Sequence, residues 1–464
     1  MITSPLLLEP MPDTKRLHVA IIEEELPYPL NSGKRIRTYN LVSRLARRHH
    51  IGYIYHRGEN ASESAKAEEH FRSLGIDTVA VPHRFPRKSG FEFYGRLLAN
   101  LASSLPYSVQ IHHSREMMEV IRSYELAYRP DVWHCEWTPY AENLRVLDDG
   151  PGGPTGLPDG QHPSNQVVVA HKVESLIWQR YHENETNPLK RWYIRQQWRK
   201  CERFERRVLG HMSHVIAVSD NDSGIAHSRF GATHVAVVDN GVDVDFFHPN
   251  ADVSRKKIIL MLGSLDWRPN LDAAELMLTR IFPAVLLRDS TARLQLVGRR
   301  PPSWLAELVR ETPNAELHAD VPDVRPFLWQ CGALAVPLRI GGGSRLKIIE
   351  ALSCQCPVVS TRVGAEGLAL TPGEHFVEVS EVAQMATALV ALLREPTRSR
   401  KIAAAGCRQV RSLYNWDGLA DRLDRVWQEC AARGSAADGP HARHSSVAKP
   451  AKCRSFGSKD TPSV

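Results

Sequence analysis

The sequence predicts two doubly wound α/β domains in series, and three observations predict it. Short apolar runs of strand length alternate with helical stretches along most of the chain, the pattern of a parallel sheet covered on both faces. The alternation breaks at a polar, proline-bearing stretch, NGVDVDFFHPNADVSRK (240–256), and then restarts. The 464 residues suffice for two or three full cores at about 150 residues each.

The first strand is RLHVAIIEE (16–24), followed by LPYPLNSGKRIRTYNLVSRLARR. Pro27, Pro29 and Gly33 make a loop, and Ile36, Tyr39, Leu41, Val42 and Leu45 give the following segment a helical period. One glycine fits a loop that merely turns as well as one that approaches a ligand. Further strands are IGYIYH (51–56), DTVAVPH (77–83), DVWHCEW (131–137), QVVVAH (166–171) and HVIAVS (214–219), with THVAVVDNG (233–241) closing the set. DDGPGGPTGLPDGQHPSN (148–165) reads as a surface insertion. KRWYIRQQWRKCERFERRVL (190–209) is an amphipathic helix with Ile194, Trp198, Cys201, Phe204 and Val208 on one side. Its other side, Arg191, Arg195, Arg199, Lys200, Arg203, Arg206 and Arg207, is either a solvated face balanced by Glu202 and Glu205 or a face for acidic headgroups or a phosphorylated acceptor. In the second half, KIILMLGSL (257–265), ARLQLVGR (292–299), AELHAD (315–320), GALAVPL (332–338) and CPVVST (356–361) are strands. Helices run through 380–413 and 416–431.

Charge and composition narrow the function classes. Six Lys/Arg and two Asp fall between Arg433 and Val464, leaving only +3 of the net +7 for residues 1–432. That is too little to favour nucleic acid. The tail 433–464 is expected to be disordered, and a basic tail suits anionic lipid. No apolar run approaches the roughly 20 residues that span a bilayer. The first residues lack a secretion signal's basic segment and long apolar run. A cytoplasmic protein is expected, with peripheral contact at the inner face of the plasma membrane. The eight cysteines include no CxxC pair, so neither zinc nor a disulfide framework is indicated.

Ligands of doubly wound sheets bind at the carboxyl ends of strands, here Gly33, His171, Gly263-Ser264, Gly298, Asp320 and residues 341–345. The richest of these is ALAVPLRIGGGSRLKIIEALSCQCPVVST (333–361), read as strand, glycine turn, helix, strand. Gly341, Gly342 and Gly343 let a ligand approach the backbone closely. Ser344 is placed to cap the helix. A glycine turn opening a helix presents amide N–H groups to a phosphate, and Arg345 and Lys347 add cations. Glu350, about one and a half turns on, is placed to accept from sugar hydroxyls. The spacing is not that of a Walker loop. His171 ends its strand with Glu174 three residues on, while His134 and Glu136 share one face of the preceding strand and compete with it. No metal-spaced set or nucleophile elbow is present.

With NGVDVDFFH (240–248), GSLDWRPN (263–270) and GGGSRLKIIEALSCQCPVVSTRVGAEGL (341–368), the two-sheet layout resembles the retaining GT-B glycosyltransferases of family 4. HKVESL (171–176) and GSLDWRPN are similar to sugar transferases of bacterial exopolysaccharide and exosortase systems. The resemblance covers residues 16–431 and implies two Rossmann-like domains facing a cleft. It divides the chain into 1–14 (flexible), 15–245 (acceptor domain), 246–415 (nucleotide-sugar domain), 416–432 (a helix crossing back to the first domain) and the tail. The implied activity is sugar transfer from a nucleotide donor to a lipid-linked or polysaccharide acceptor, with no cofactor or metal. His171 then corresponds to the histidine near the donor sugar, with Glu174 beside it. Glu350 corresponds to the ribose-binding glutamate, Gly343 and Ser344 to the diphosphate turn, and Gly33 to the N-terminal glycine loop. Ser264 and Asp320 join the donor site as strand ends.

The chain departs from the family in two respects. Gly342 stands where a first glutamate is usual. Ser264 and, near the second position, Pro269 stand where an Arg and a Lys bind the diphosphate. Arg268, Arg345 and Lys347 are expected to neutralise the phosphates instead. The competing expectations are a nucleotide-sugar epimerase and a nucleotide-sugar-binding protein without turnover.

Overall fold

The computed structural model describes residues 15–58, 60–87, 89–148, 165–339 and 345–437. Thirteen strands form two wholly parallel sheets. The first contains β1 (His18–Glu23), β2 (His50–Arg57), β3 (Asp77–Pro82), β4 (Val132–Cys135), β5 (Gln166–Ala170), β6 (His214–Ala217) and β7 (Val235–Val237). Its order is β3-β2-β1-β4-β5-β6-β7. The second contains β8 (Ile258–Leu262), β9 (Arg293–Gly298), β10 (Ala315–Ala319), β11 (Ala333–Val336), β12 (Val358–Thr361) and β13 (Val377–Val379). Its order, β10-β9-β8-β11-β12-β13, repeats the first. The order reverses between β1 and β4 and between β8 and β11, and a crevice opens at such a reversal. β8 is apolar and buried along its whole length, and β5 is buried throughout and apolar after Gln166, as strands with helices on both faces must be. β13 is absent from the expected strands; three residues on a sheet edge are too few to leave a periodicity.

The C-terminal helix Trp416–Ala437 returns to the first domain and completes its core. Trp416, Leu419, Leu423 and Trp427 join the cluster built by Val19, Ile51, Val167 and Ile216. Ion pairs tie it to the helix Gly33–Leu45 and the turn after it, Arg44 to Asp417 (2.6 Å) and Arg48 to Asp421 (2.6 Å) and Asp424 (3.2 Å), and His49 Nε2 hydrogen-bonds Asp424 (3.0 Å). The expected end of this helix near 431 is too early. Cys430 and Ala431 are still buried, and Arg433 reaches His234. The remaining tail, 438–464, and the insertion, 149–164, lie outside the described residues.

The long helix spans Pro188–His211, and two of its charges are not where the pattern puts them. Lys200 is buried, donating to Asn100 O (2.5 Å). Glu205 is buried and accepts from the backbone N–H of Glu174 (2.6 Å) and Ser175 (3.1 Å). It thus caps the helix Glu174–Asn184, a use of carboxylate that sequence spacing does not reveal.

Candidate functional site

The two crevices face one another. A cleft of about 730 Å³ runs between the domains, with His171, Arg180, Ser219 and Asp222 on one bank and Arg345 and Glu366 on the other. Glu366 lies 3.5 Å from both Arg180 and Arg345 and so bridges the banks. A second bridge is Arg299, just beyond β9, whose guanidinium donates to Asn31 O and to Ser264 Oγ (3.1 Å). It brings the loop before Gly33 against the end of β8.

The first-domain bank is organised by Glu136, at the end of β4. Its carboxylate is 2% exposed and accepts from Arg37 Nη1 (3.1 Å), Thr38 Oγ1 (2.9 Å) and His134 Nε2 (2.7 Å). His171 Nε2 is 3.3 Å from its Oε1. Burial alone would raise its pKa, but the contacts from His134 and His171 and the charge of Arg37 carry it well below the carboxylate range. The chain of contacts continues outward: Trp427 Nε1 donates to His134 Nδ1 (3.0 Å), which leaves His134 its Nε2 proton for Glu136. Burial lowers the pKa of His171 against the opposing pull of Glu136, so a neutral imidazole faces the cleft. Beside it, Lys34 pairs with Glu23 (2.9 Å) at the end of β1.

The sequence sets His134 and Glu136 against His171 as rivals; the structure joins all three in one assembly. Gly33 opens its helix immediately after the capping residue Ser32, whose Oγ accepts from Arg35 N–H (3.3 Å). Glu174 does not join His171. It turns to a small hollow shared with Glu205, Thr138 and Phe204, away from the cleft, because its helix N-terminus is drawn to the Glu205 carboxylate.

On the second-domain bank the helix is Leu346–Ser353, with Arg345 as its N-cap residue. The expected cap, Ser344, and Gly341, Gly342 and Gly343 lie outside the described residues. The Arg345 guanidinium donates to Val363 O (2.7 Å), and among the described residues its Nε has no hydrogen-bond partner. Lys347 Nζ reaches Asn270 Oδ1 (2.9 Å). It also lies so close to Gly263 that a Cβ there would stand 3.0 Å from the ammonium. Asn270 in turn donates to Ser264 O (2.9 Å). The ammonium therefore occupies the end of β8. Burial pulls Lys347 down to about 8, with Arg345 adding to the shift. Burial pushes Glu350 up to about 7, partly offset by Lys347. Among the described residues Glu350 has no side-chain hydrogen-bond partner.

Two expected site residues stand apart. Arg268 is exposed at the first turn of its helix. Asp320 is exposed with φ 51° and accepts from Arg300 N–H (3.1 Å); it does not line the cleft, and neither do Lys347 and Glu350, which follow the cleft-lining Arg345 on its helix. Among the described residues no three His, Cys, Asp or Glu side chains gather to hold a metal ion. The residues missed from sequence are Glu136 as an organiser, Lys34, Arg37, Asn270 and Arg299. Only Glu136 left a signal, its shared strand face with His134.

Residues 256–395 match the sequence model of the family described as glycosyl transferases group 1. A phosphatidyl-myo-inositol mannosyltransferase of Mycobacterium leprae is 25% identical over 346 residues, covering 71% of this chain and 88% of that protein. Among solved structures, a sucrose-phosphate synthase from Thermosynechococcus elongatus gives a TM-score of 0.64 at 16% identity, over 90% of this chain and 100% of its own. The Anabaena protein HepE, solved with UDP and glucose, gives 0.59 at 11% identity over 89% of this chain and 99% of its own. The two parallel-sheet domains are those of the GT-B fold.

Proposed function

We propose that this chain, a glycosyltransferase with the GT-B fold, moves a sugar from a nucleotide-sugar donor to a lipid-linked or polysaccharide acceptor with retention at the anomeric carbon. The acceptor class we assign is that of bacterial exopolysaccharide or cell-envelope glycan synthesis. One observation carries the reading: a neutral histidine beside a buried carboxylate faces, across one cleft, Arg345, which opens the helix that carries Lys347 and Glu350. The relatives support it: the similar mycobacterial protein is named for mannosyl transfer to a phosphatidylinositol, and the HepE structure holds UDP. The mycobacterial protein is named as a transferase, which leaves the epimerase reading without support.

The chemistry follows from the charges. As the bond from the anomeric carbon to the phosphate oxygen breaks, positive charge spreads over the sugar ring and negative charge gathers on the departing diphosphate. Lys347 and Arg345 meet the diphosphate, and losing one such contact costs about 3 kcal/mol of transition-state stabilisation. A cation at that place does the work of a metal ion. Glu350 accepts from the ribose hydroxyls. His171 contacts the sugar, and Glu136 acts as a positioning residue by fixing the ring. Closure across Glu366 and Arg299 excludes water and limits hydrolysis.

The test is a thermal-shift panel of UDP-, GDP-, ADP- and dTDP-sugars, since a ligand that binds only the folded state raises its melting temperature. One donor is expected to raise it, and the same donor to be consumed when acceptor is added. No shift from any nucleotide sugar would overturn the reading.

A further inference from the structure

The helix Phe91–Leu101 carries large apolar side chains on its exposed side. Phe91, Tyr94 and Leu98, one turn apart, are 98%, 64% and 68% exposed. Gly95, Ala99 and Ala102, which fill the same side, are exposed too. Of its polar residues, Glu92 and Arg96 pair at the surface (3.6 Å), while Asn100 is buried: it donates to Leu105 O (3.0 Å) and Gln110 Oε1 (2.6 Å) and accepts from Gln197 (2.7 Å). Single exposed apolar side chains are ordinary, but three large ones on consecutive turns of one helix form a patch that calls for a partner.

Cations surround the patch. Arg84 and Arg87 are exposed in the loop leading into the helix, and Arg96 donates to Arg87 O (2.8 Å). The helix Pro188–His211, joined to Asn100 through Gln197 and Lys200, exposes Lys190, Arg191, Arg195, Arg199 and Arg203 along its length. Two large apolar side chains, Leu189 (79% exposed) and Trp192 (52%), stand at its start. Arg191, Arg195 and Arg199 form no ion pair among the described residues. No described helix is long and apolar enough to cross a membrane.

We propose that these two helices are a docking surface for an anionic lipid bilayer. The Phe91–Tyr94–Leu98 stripe enters the boundary between headgroups and acyl chains, and the arginines meet headgroup phosphates. Charge decides among occupants. A second copy would set one basic face against another, and a nucleic acid would leave the apolar stripe in water. An anionic membrane satisfies both features. The surface is independent of the transfer reaction.

The experiment uses the full chain with vesicles of phosphatidylcholine alone or mixed with phosphatidylglycerol, read by flotation and by Trp192 fluorescence. Binding is expected to the mixed vesicles only. It is expected to weaken about tenfold or more when salt shortens the screening length from about 8 Å to about 3 Å. The triple variant Phe91→Ser, Tyr94→Ser, Leu98→Ser is expected to lose about tenfold or more in binding with an unchanged melting temperature, because these side chains already face water. The variant Arg191→Ser, Arg195→Ser, Arg199→Ser is expected to lose the preference for phosphatidylglycerol. No binding to mixed vesicles, undiminished binding by the apolar triple variant, or a concentration-dependent dimer abolished by that variant would each overturn the proposal.

Discussion

On the first-domain bank of the cleft the charges have protein partners; in the second domain, on the helix that Arg345 opens, Lys347 and Glu350 are half-buried with few. Glu136 is met by Arg37, Thr38, His134 and His171, and Lys34 by Glu23. Lys347 has the amide of Asn270, and Glu350 has no described partner beyond the field of Lys347. The difference shows in protonation. Glu136 is held far below the physiological range, whereas Glu350 and Lys347 sit near 7 and 8. A bank completed by its own protein is preorganised to orient one ring. A bank whose charges are desolvated but incompletely paired is suited to a ligand that brings phosphates and hydroxyls.

The largest effect that would break this comparison lies at His171. His171→Ala is expected to reduce transfer by about 10²–10⁴-fold while nucleotide affinity is kept; unchanged turnover would remove His171 from the site. Next comes a contrast in stability. Glu136→Ala leaves Arg37 buried without its partner and is expected to cost about 3–5 kcal/mol in urea unfolding. Lys347→Met takes a charge out of a desolvated place and is expected to leave stability level or raise it, while weakening donor binding by about 1.5–3 kcal/mol. Equal stability losses in the two variants would erase the distinction between the banks.

A smaller effect is the pH dependence of donor affinity. Ribose hydroxyls favour ionised Glu350, so affinity is expected to rise through about pH 7. Phosphate favours protonated Lys347, so affinity is expected to fall above about pH 8. Glu350→Gln should flatten the acid limb in a calorimetric titration. Stability runs the other way. A carboxylate whose pKa is raised from 4.5 to about 7 in the folded state contributes most while protonated, and that contribution is lost as pH rises through the same window. Smallest is Trp427→Phe, which removes the proton shared with His134 and is expected to cost about 1 kcal/mol.

The two sheets were legible because apolar runs and glycine-bearing breaks are local signals, and eleven of the thirteen strands are four residues or longer. That Glu350 and Lys347 share one helix was legible from its apolar period, and the structure places it at Leu346–Ser353. The Glu136 assembly was not. Its members come from positions 37, 38, 134, 136, 171 and 427, and no spacing links residues that meet only when four segments pack. Glu174 misled for the same reason: three residues from His171 in sequence, it is turned away by a carboxylate contributed from position 205.

The most direct test of the division of labour is a side-by-side calorimetric titration of the responsive nucleotide sugar into Glu350→Ala and His171→Ala, with turnover measured on the same samples. Weakened binding in Glu350→Ala, and retained binding without turnover in His171→Ala, is the expected result. Full donor affinity in Glu350→Ala, or lost affinity in His171→Ala, would contradict it.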